Sequence, residues 1–181
     1  MEISKINVEL FRFINDIGKE YAFLNSTFIF LAEYMVYILA LLTILFWFSR
    51  KPRNRMMVIS AMISFMLAEI LGKIAGQLHS NKQPFVELPH VNQLIEKTVN
   101  NSFPSDHTIL FFSFCVTFCI FHKRWRYIWI SLAFLVGLSR VWVGVHYPAD
   151  VIVGALISTV CAYFIAIMVP RLPILKKRLL E

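Results

Sequence analysis

Five apolar stretches, each close to the length needed to cross a bilayer core of roughly 30 Å, constrain this chain more than any other feature. They lie near residues 26–48, 56–78, 104–121, 127–144 and 150–169. Basic segments interrupt or follow them: SRKPRNR after the first, HKRWR after the third and RLPILKKRLLE after the last. In hydrocarbon the backbone must satisfy its own polar groups, so stretches of this length read as transmembrane helices. The expected fold is an all-α integral membrane protein, a helical bundle of about five transmembrane helices.

Composition agrees. Hydrophobic residues make up 58% of the chain and charged ones only 16%, where a soluble domain carries about a quarter charged. The polar stretches between spans are too short to fold separately, which predicts a single membrane-embedded domain over 1–181. Within it, 1–23 is an N-terminal helix, 24–170 the transmembrane core and 171–181 a basic tail. Residues 1–23 mix charges with apolar residues and lack a continuous apolar run, so no cleavable signal is expected there. Ile6, Leu10, Phe13, Ile14 and Ile17 recur at helical spacing. That pattern describes an amphipathic helix on the membrane surface or one packed on the spans. Cys115, Cys119 and Cys161 all fall in apolar spans without a CxxC spacing, and read as small buried hydrophobes.

The net charge of +7 points to membrane topology and away from nucleic acid, because the basic residues cluster between spans. Arg50, Lys51, Arg53 and Arg55, then Lys123, Arg124 and Arg126, then Arg171, Lys176, Lys177 and Arg178 share one side of an alternating topology. The other side holds Lys5, Arg12, Lys19, Lys82 and Lys97. The positive-inside bias therefore places the N-terminus and the loops 79–103 and 145–149 outside the cytoplasm. Every residue with candidate chemistry lies at that outer end. Loop 79–103 is long enough to shape a site.

Two clusters stand there. NNSFPSDH, Asn100 to His107, opens the third span. Pro104 suits a first helical position, so the amides around Ser105, Asp106 and His107 would offer an anion site, with the Ser105 hydroxyl and His107 at its rim. SRVWVGVHYPAD, Ser139 to Asp150, joins the fourth and fifth spans. Arg140 lies in an apolar span end, where an unpaired guanidinium is costly. Pro148 can start the next helix, placing Asp150 where its carboxylate can fix the tautomer of His146. Taken singly, Arg140 could be a snorkelling anchor and Asp150 a helix-dipole partner. The aromatics Trp125, Trp129, Trp142 and Tyr147 read as interfacial.

PSDH followed by SRVWVGVHYPAD resembles the second and third signatures of the type 2 phosphatidic acid phosphatase superfamily, P-S-G-H and S-R-x5-H-x3-D. The third matches at Ser139, Arg140, His146 and Asp150. Asp106 replaces the usual glycine of the second, as in BcrC-like undecaprenyl-diphosphate phosphatases linked to bacitracin resistance. The first signature, K-x6-R-P, is broken here. Gln83 stands before Pro84 and Phe85, and Gly76 occupies the lysine position. Lys73 or Lys82 could supply the missing charge. Lys73 also has Glu69 four residues before it, in the favourable order for a helical ion pair. Glu33, in the first span, is either a counter-ion to Arg140 or Lys73 or a participant in chemistry.

The resemblance implies a metal-independent phosphatase with no cofactor, working through a phosphohistidine on His146. Asp150 would steady the ring and His107 serve as acid and base. Ser105, Arg140, Asp106 and one of Lys82, Lys73 or Gln83 would bind phosphate, with Ser139 alongside. The outward site suits a polyprenyl diphosphate in a bacterial cell membrane, with no obligate protein partner. Phosphatidylglycerol phosphate or phosphatidate is the other lipid class. A permease or transporter subunit that binds an anionic lipid is the reading of another kind.

Overall fold

A computed structural model describes residues 5–171; the expected basic tail lies, beyond Arg171, outside the described residues. Eight α-helices follow in order: α1 Lys5–Glu20, α2 Asn25–Glu33, α3 Met35–Phe48, α4 Pro52–Leu78, α5 Pro84–Glu87, α6 Asp106–Phe121, α7 Arg126–Trp142 and α8 Pro148–Met168. Proline opens α4, α5 and α8, where its missing N–H costs nothing and its fixed φ suits the first turn.

The chain is an all-helical integral membrane protein. By length and apolar composition α4 and α8 can each cross a bilayer, and α2 with α3 makes a third span bent by 46°. The bend corrects the single span expected over 26–48. Neither Gly nor Pro marks it. Its cause is the guanidinium of Arg140, whose Nη1 donates to the Ala32 carbonyl at 2.8 Å. A side chain that takes a carbonyl out of the i→i−4 ladder kinks a helix there. The remaining two expected spans are shorter, with 16 residues in α6 and 17 in α7, or roughly 24–26 Å of helix.

The third stretch also opens later than expected: α6 starts at Asp106, with Ser105 as its extended N-cap, not at Pro104. Residues 102–105 are pinned as an irregular strap. Ser102 N donates to Asn81 O at 2.7 Å, Phe103 N to Asn101 Oδ1 at 3.1 Å and Ser105 N to Asp150 O at 3.2 Å. Those bonds outweigh the helical preference of Pro104.

Helices α4, α6 and α8 pack on one another; α7 closes on α6, α2 on α7 and α3 on α4. The core between them is built from Met57, Phe111, Cys115, Phe118, Trp129 and Val136. Lipid offers no hydrophobic drive to helix association, so contact depends on close approach at small residues. A Cβ on Gly154 of α8 would stand 3.2 Å from Ser105 O, and one on Gly137 of α7 3.0 Å from Val151 Cγ1. Of the aromatics expected at interfaces, only Trp125 is exposed. Trp129, Trp142 and Tyr147 are buried, and Trp142 stacks on Phe28 with ring centroids 4.0 Å apart.

The bundle has two distinct ends. At one, Arg53 donates to Phe121 O and His122 Nε2 lies 3.0 Å from Asn54 Oδ1, so both basic loops share a side. At the other, α1 lies over loop 79–103 and turn 143–147. Its buried Asn15 donates from Nδ2 to Asn92 O (3.0 Å) and Trp142 O (2.8 Å) and accepts from Asn92 N (2.9 Å). Arg12 reaches Pro89 O and Lys19 reaches His90 O. Thus α1 packs on the protein through Phe11, Asn15 and Gly18, while Ile6 and Phe13 stay exposed on its opposite face.

Gly144 is the left-handed glycine of that outer layer. Its φ is +84°, and an added Cβ would stand 2.8 Å from Asn92 O. A left-handed non-glycine residue costs about 1–2 kcal/mol before any overlap. Gly144→Ala should lower the melting temperature in detergent by roughly 3–8 °C. An unchanged melting curve would contradict this account of the turn.

Candidate active site

The site grows out of the turn between α7 and α8. The Arg140 carbonyl accepts from both Val145 N and His146 N at 3.2 Å, which folds the chain back through Gly144 and sets His146 facing inward. Pro148 starts α8 and leaves Asp150 in its first turn, where Oδ2 accepts from Tyr147 N at 2.9 Å. A carboxylate there satisfies an orphan amide and faces the positive end of the helix. The same Oδ2 lies 3.5 Å from His146 Nδ1.

Ser102 completes the arrangement. Its Oγ donates to Asp150 Oδ2, and its carbonyl lies 3.0 Å from His146 Nδ1. A carbonyl can only accept, so that contact puts the proton on Nδ1 and leaves Nε2 with its lone pair. His146 Nε2 is buried and has no partner among the described residues. Burial lowers the His146 pKa below its ordinary value against the hydrogen bond its ring donates to Asp150, which raises it; the Arg140 charge lowers it further. The ring is neutral at pH 7.

The start of α6 meets this turn directly through the Ser105 N to Asp150 O bond. Ser105 Oγ and Arg140 Nε are buried without a partner among the described residues. Arg140 and His107 line one cavity of about 410 Å³ together with Glu33, Glu96 and Lys97. Ser105, Asp150 and His146 are thus joined to one another, Arg140 and His107 share the cavity, and the Arg140 charge acts on both histidines. Glu33 sits in the Arg140 cavity, not near Lys73, and its charge acts on the guanidinium.

Other anticipated residues stand elsewhere. Ser139 Oγ donates to Val136 O at 2.6 Å, a bond inside its own helix. Asp106 and Lys73 line a separate cavity of about 310 Å³ with Glu69. Glu69 and Lys73 form no ion pair within 4 Å among the described residues; exposed pairs of long side chains gain little from holding one geometry. Lys82 is exposed on the surface. Gln83 is fully buried, yet its amide bonds Thr98 and Asn100 and not the cavity.

Two residues escaped the sequence reading. Ser102 holds both His146 and Asp150, and its only signal was a place three residues before Ser105 in NNSFPSDH. Lys97 looked like one charge in a polar loop; only the path of that loop brings it to His107 and Arg140.

Known proteins resemble this chain in sequence and in fold. The PAP2 superfamily profile matches residues 57–173. "Bacitracin transport permease protein BcrC" of Bacillus licheniformis is 54% identical over 99% of this chain and 88% of its own. "Undecaprenyl-diphosphatase" of Sulfolobus acidocaldarius is 35% identical, covering 84% of this chain and 73% of its own. Among solved structures, Aquifex aeolicus LpxE superposes with a TM-score of 0.75 at 30% identity, over 91% of this chain and 97% of that one. With the signature residues assembled at one end of the bundle and the profile matched across its core, the chain belongs to the PAP2 superfamily.

Proposed function

We propose that the chain is an undecaprenyl-diphosphate phosphatase of the bacterial cell membrane. It removes the terminal phosphate of the carrier lipid at the extracytoplasmic face and so confers bacitracin resistance. The observation that carries this reading is His146: Nδ1 is fixed by the Ser102 carbonyl and Asp150, Nε2 has no partner among the described residues, and the buried Arg140 charge acts on the ring. The undecaprenyl-diphosphatase relative supports the substrate. The basic loops at the opposite end support the orientation.

The reaction has two steps. His146 Nε2 attacks the terminal phosphorus, the bond to the bridging oxygen breaks, and His107 gives its proton to the departing lipid monophosphate. The Nε2–P bond formed places positive charge on the imidazole, which the Asp150 carboxylate stabilises. Water then attacks the phosphohistidine, His107 takes its proton, the N–P bond breaks and orthophosphate leaves. Arg140 and the Ser105 hydroxyl hold the equatorial oxygens, where charge must be stabilised in a loose transition state. Arg140 presents two donors at once, which a lysine cannot.

The name of the Bacillus licheniformis relative carries a transport reading. A permease has no need of a bare, oriented imidazole nitrogen, and the reconstituted protein separates the two. Wild type should release orthophosphate from undecaprenyl diphosphate, and His146→Ala should lose about 10³-fold or more in kcat. Ser102→Ala should lose roughly tenfold, since one hydrogen bond to a charged group is removed. Equal inactivity of wild type and His146→Ala on undecaprenyl diphosphate, phosphatidylglycerol phosphate and phosphatidate would sink the enzyme reading. A faster turnover of phosphatidylglycerol phosphate at equal surface concentration would reassign the substrate.

Two further outcomes follow from the site. All the proposed phosphate ligands are protein groups, so turnover should persist in excess chelator; loss that added divalent metal restores would contradict this. The acid limb of kcat/KM should fall below pH 6.5, because a His146 whose pKa is lowered from 6.5 stays unprotonated into more acidic solution. A limb above pH 7 would contradict it.

A further inference from the structure

We infer that Lys97 is the second cation of the phosphate cavity, and that Gln83 is the positioning residue that holds it there. The inference rests on the phosphatase reading above. Arg140 and His107 share their cavity with one lysine, Lys97. Lys97 also lines a more open neighbouring cavity of about 530 Å³ with Gln93, Glu96 and Thr98, so it stands where the inner cavity meets the outside. No carboxylate pairs with it within 4 Å among the described residues. Its charge acts on both His107 and His146. Burial and the like charge of Arg140 lower its pKa, with Asp106 opposing them.

Lys97 has no regular secondary structure to hold it, so its place depends on anchors to either side. Before it, Leu94 N donates to Val143 O at 3.1 Å, and Ile95 is buried with Trp142, Val143 and Val145. After it, the Gln83 amide makes two bonds to the backbone and one to a side chain. Nε2 donates to Thr98 O (3.3 Å) and Asn100 Oδ1 (2.5 Å), and Oε1 accepts from Asn100 N (3.3 Å). Gln83 is fully buried.

This bonding needs both a donor and an acceptor on one side chain. An arginine at position 83 has five donors and no acceptor, and would leave Asn100 N unpaired. Gln83 is therefore committed to the loop, and the charge that position 83 does not carry arrives through Lys97, fourteen residues later in the chain. Lys73 faces a different cavity and Lys82 faces outward, so neither competes for the role. A lysine at the mouth of the cavity acts as a point charge that can follow the phosphate inward, whereas Arg140 fixes orientation.

The test uses full-length protein in detergent and two readouts, turnover of undecaprenyl diphosphate and binding of orthophosphate by calorimetry. Lys97→Ala should lower kcat/KM and weaken orthophosphate binding, each roughly 10- to 100-fold. Lys97→Arg should restore most of both. Gln83→Ala should cause a smaller loss in a Lys97 background and almost none when added to Lys97→Ala. A structural role alone would give an additive loss in the double variant. Where Gln83→Ala does not fold, Gln83→Glu keeps the acceptor for Asn100 N and should show the same non-additivity. The inference is overturned if Lys97→Ala stays within twofold of wild type in both readouts, or if the two losses add. Wild type binding orthophosphate in a Lys97-dependent way without turnover would instead uphold the cation site and overturn the phosphatase reading.

Discussion

The buried guanidinium of Arg140 is the interaction on which the rest of the molecule depends. A cation at 2% exposure in an apolar bundle must find acceptors within the protein or meet a charged ligand. Its Nη1 takes the Ala32 carbonyl, and that demand breaks the first span between α2 and α3. The C-terminal end of α2 carries the negative pole of a helix dipole, so the break supplies an acceptor of the right sign. Meanwhile the Arg140 backbone carbonyl gathers Val145 N and His146 N. One residue thus fixes a helix bend on one side and aims the imidazole on the other. Its Nε has no partner among the described residues, a demand that phosphate would meet.

The outer layer ties that end together through side-chain amides. Asn15 on α1 satisfies three backbone groups from loop 79–103 and α7 at full burial. Trp142 donates to Asn25 Oδ1 at 2.9 Å. Asn25, Asn15 and Gln83 are amides, able to donate and accept at once; Asn25 links α1 to α7, while Asn15 and Gln83 tie loop 79–103, which has no ladder of its own. Phosphoryl transfer asks for positioning more than for covalent chemistry, and this layer supplies positioning.

The sequence made the spans and the His146–Asp150 half of the site legible because both rest on local rules. Apolar length gave the helices. Pro148 two residues after His146 and two before Asp150 gave a helix start with an acid in its first turn. What escaped depends on non-local backbone. Nothing in residues 30–36 marks a bend, since its cause is Arg140, more than 100 residues later. Pro104 suits a first helical position locally, but Asn81, Asn101 and Asp150 hold residues 102–105 outside the helix. Lys82 adjoins Gln83 and Lys73 lies three residues before Gly76, but nearness in sequence carries neither to the Arg140 cavity. Lys97 was passed over because loop 79–103 has no period from which to read its path.

The convergence of α6 and α8 explains why phosphate would stabilise, as well as occupy, this end. Both helices begin at the same end, joined by the Ser105 N to Asp150 O bond, and Gly154 lets them approach closely. Neighbouring helices that run parallel place their positive ends side by side, an arrangement that repels by a few tenths to about 1 kcal/mol when exposed. Asp150 offsets part of this, but its Oδ2 already serves Tyr147 N, Ser102 Oγ and His146. A phosphate held between the first turns would complete the neutralisation in the water-poor setting where such terms grow. The same field favours the charge that develops on equatorial oxygens during transfer. The packing that lets two helices meet in lipid thus also builds the electrostatics of the proposed reaction.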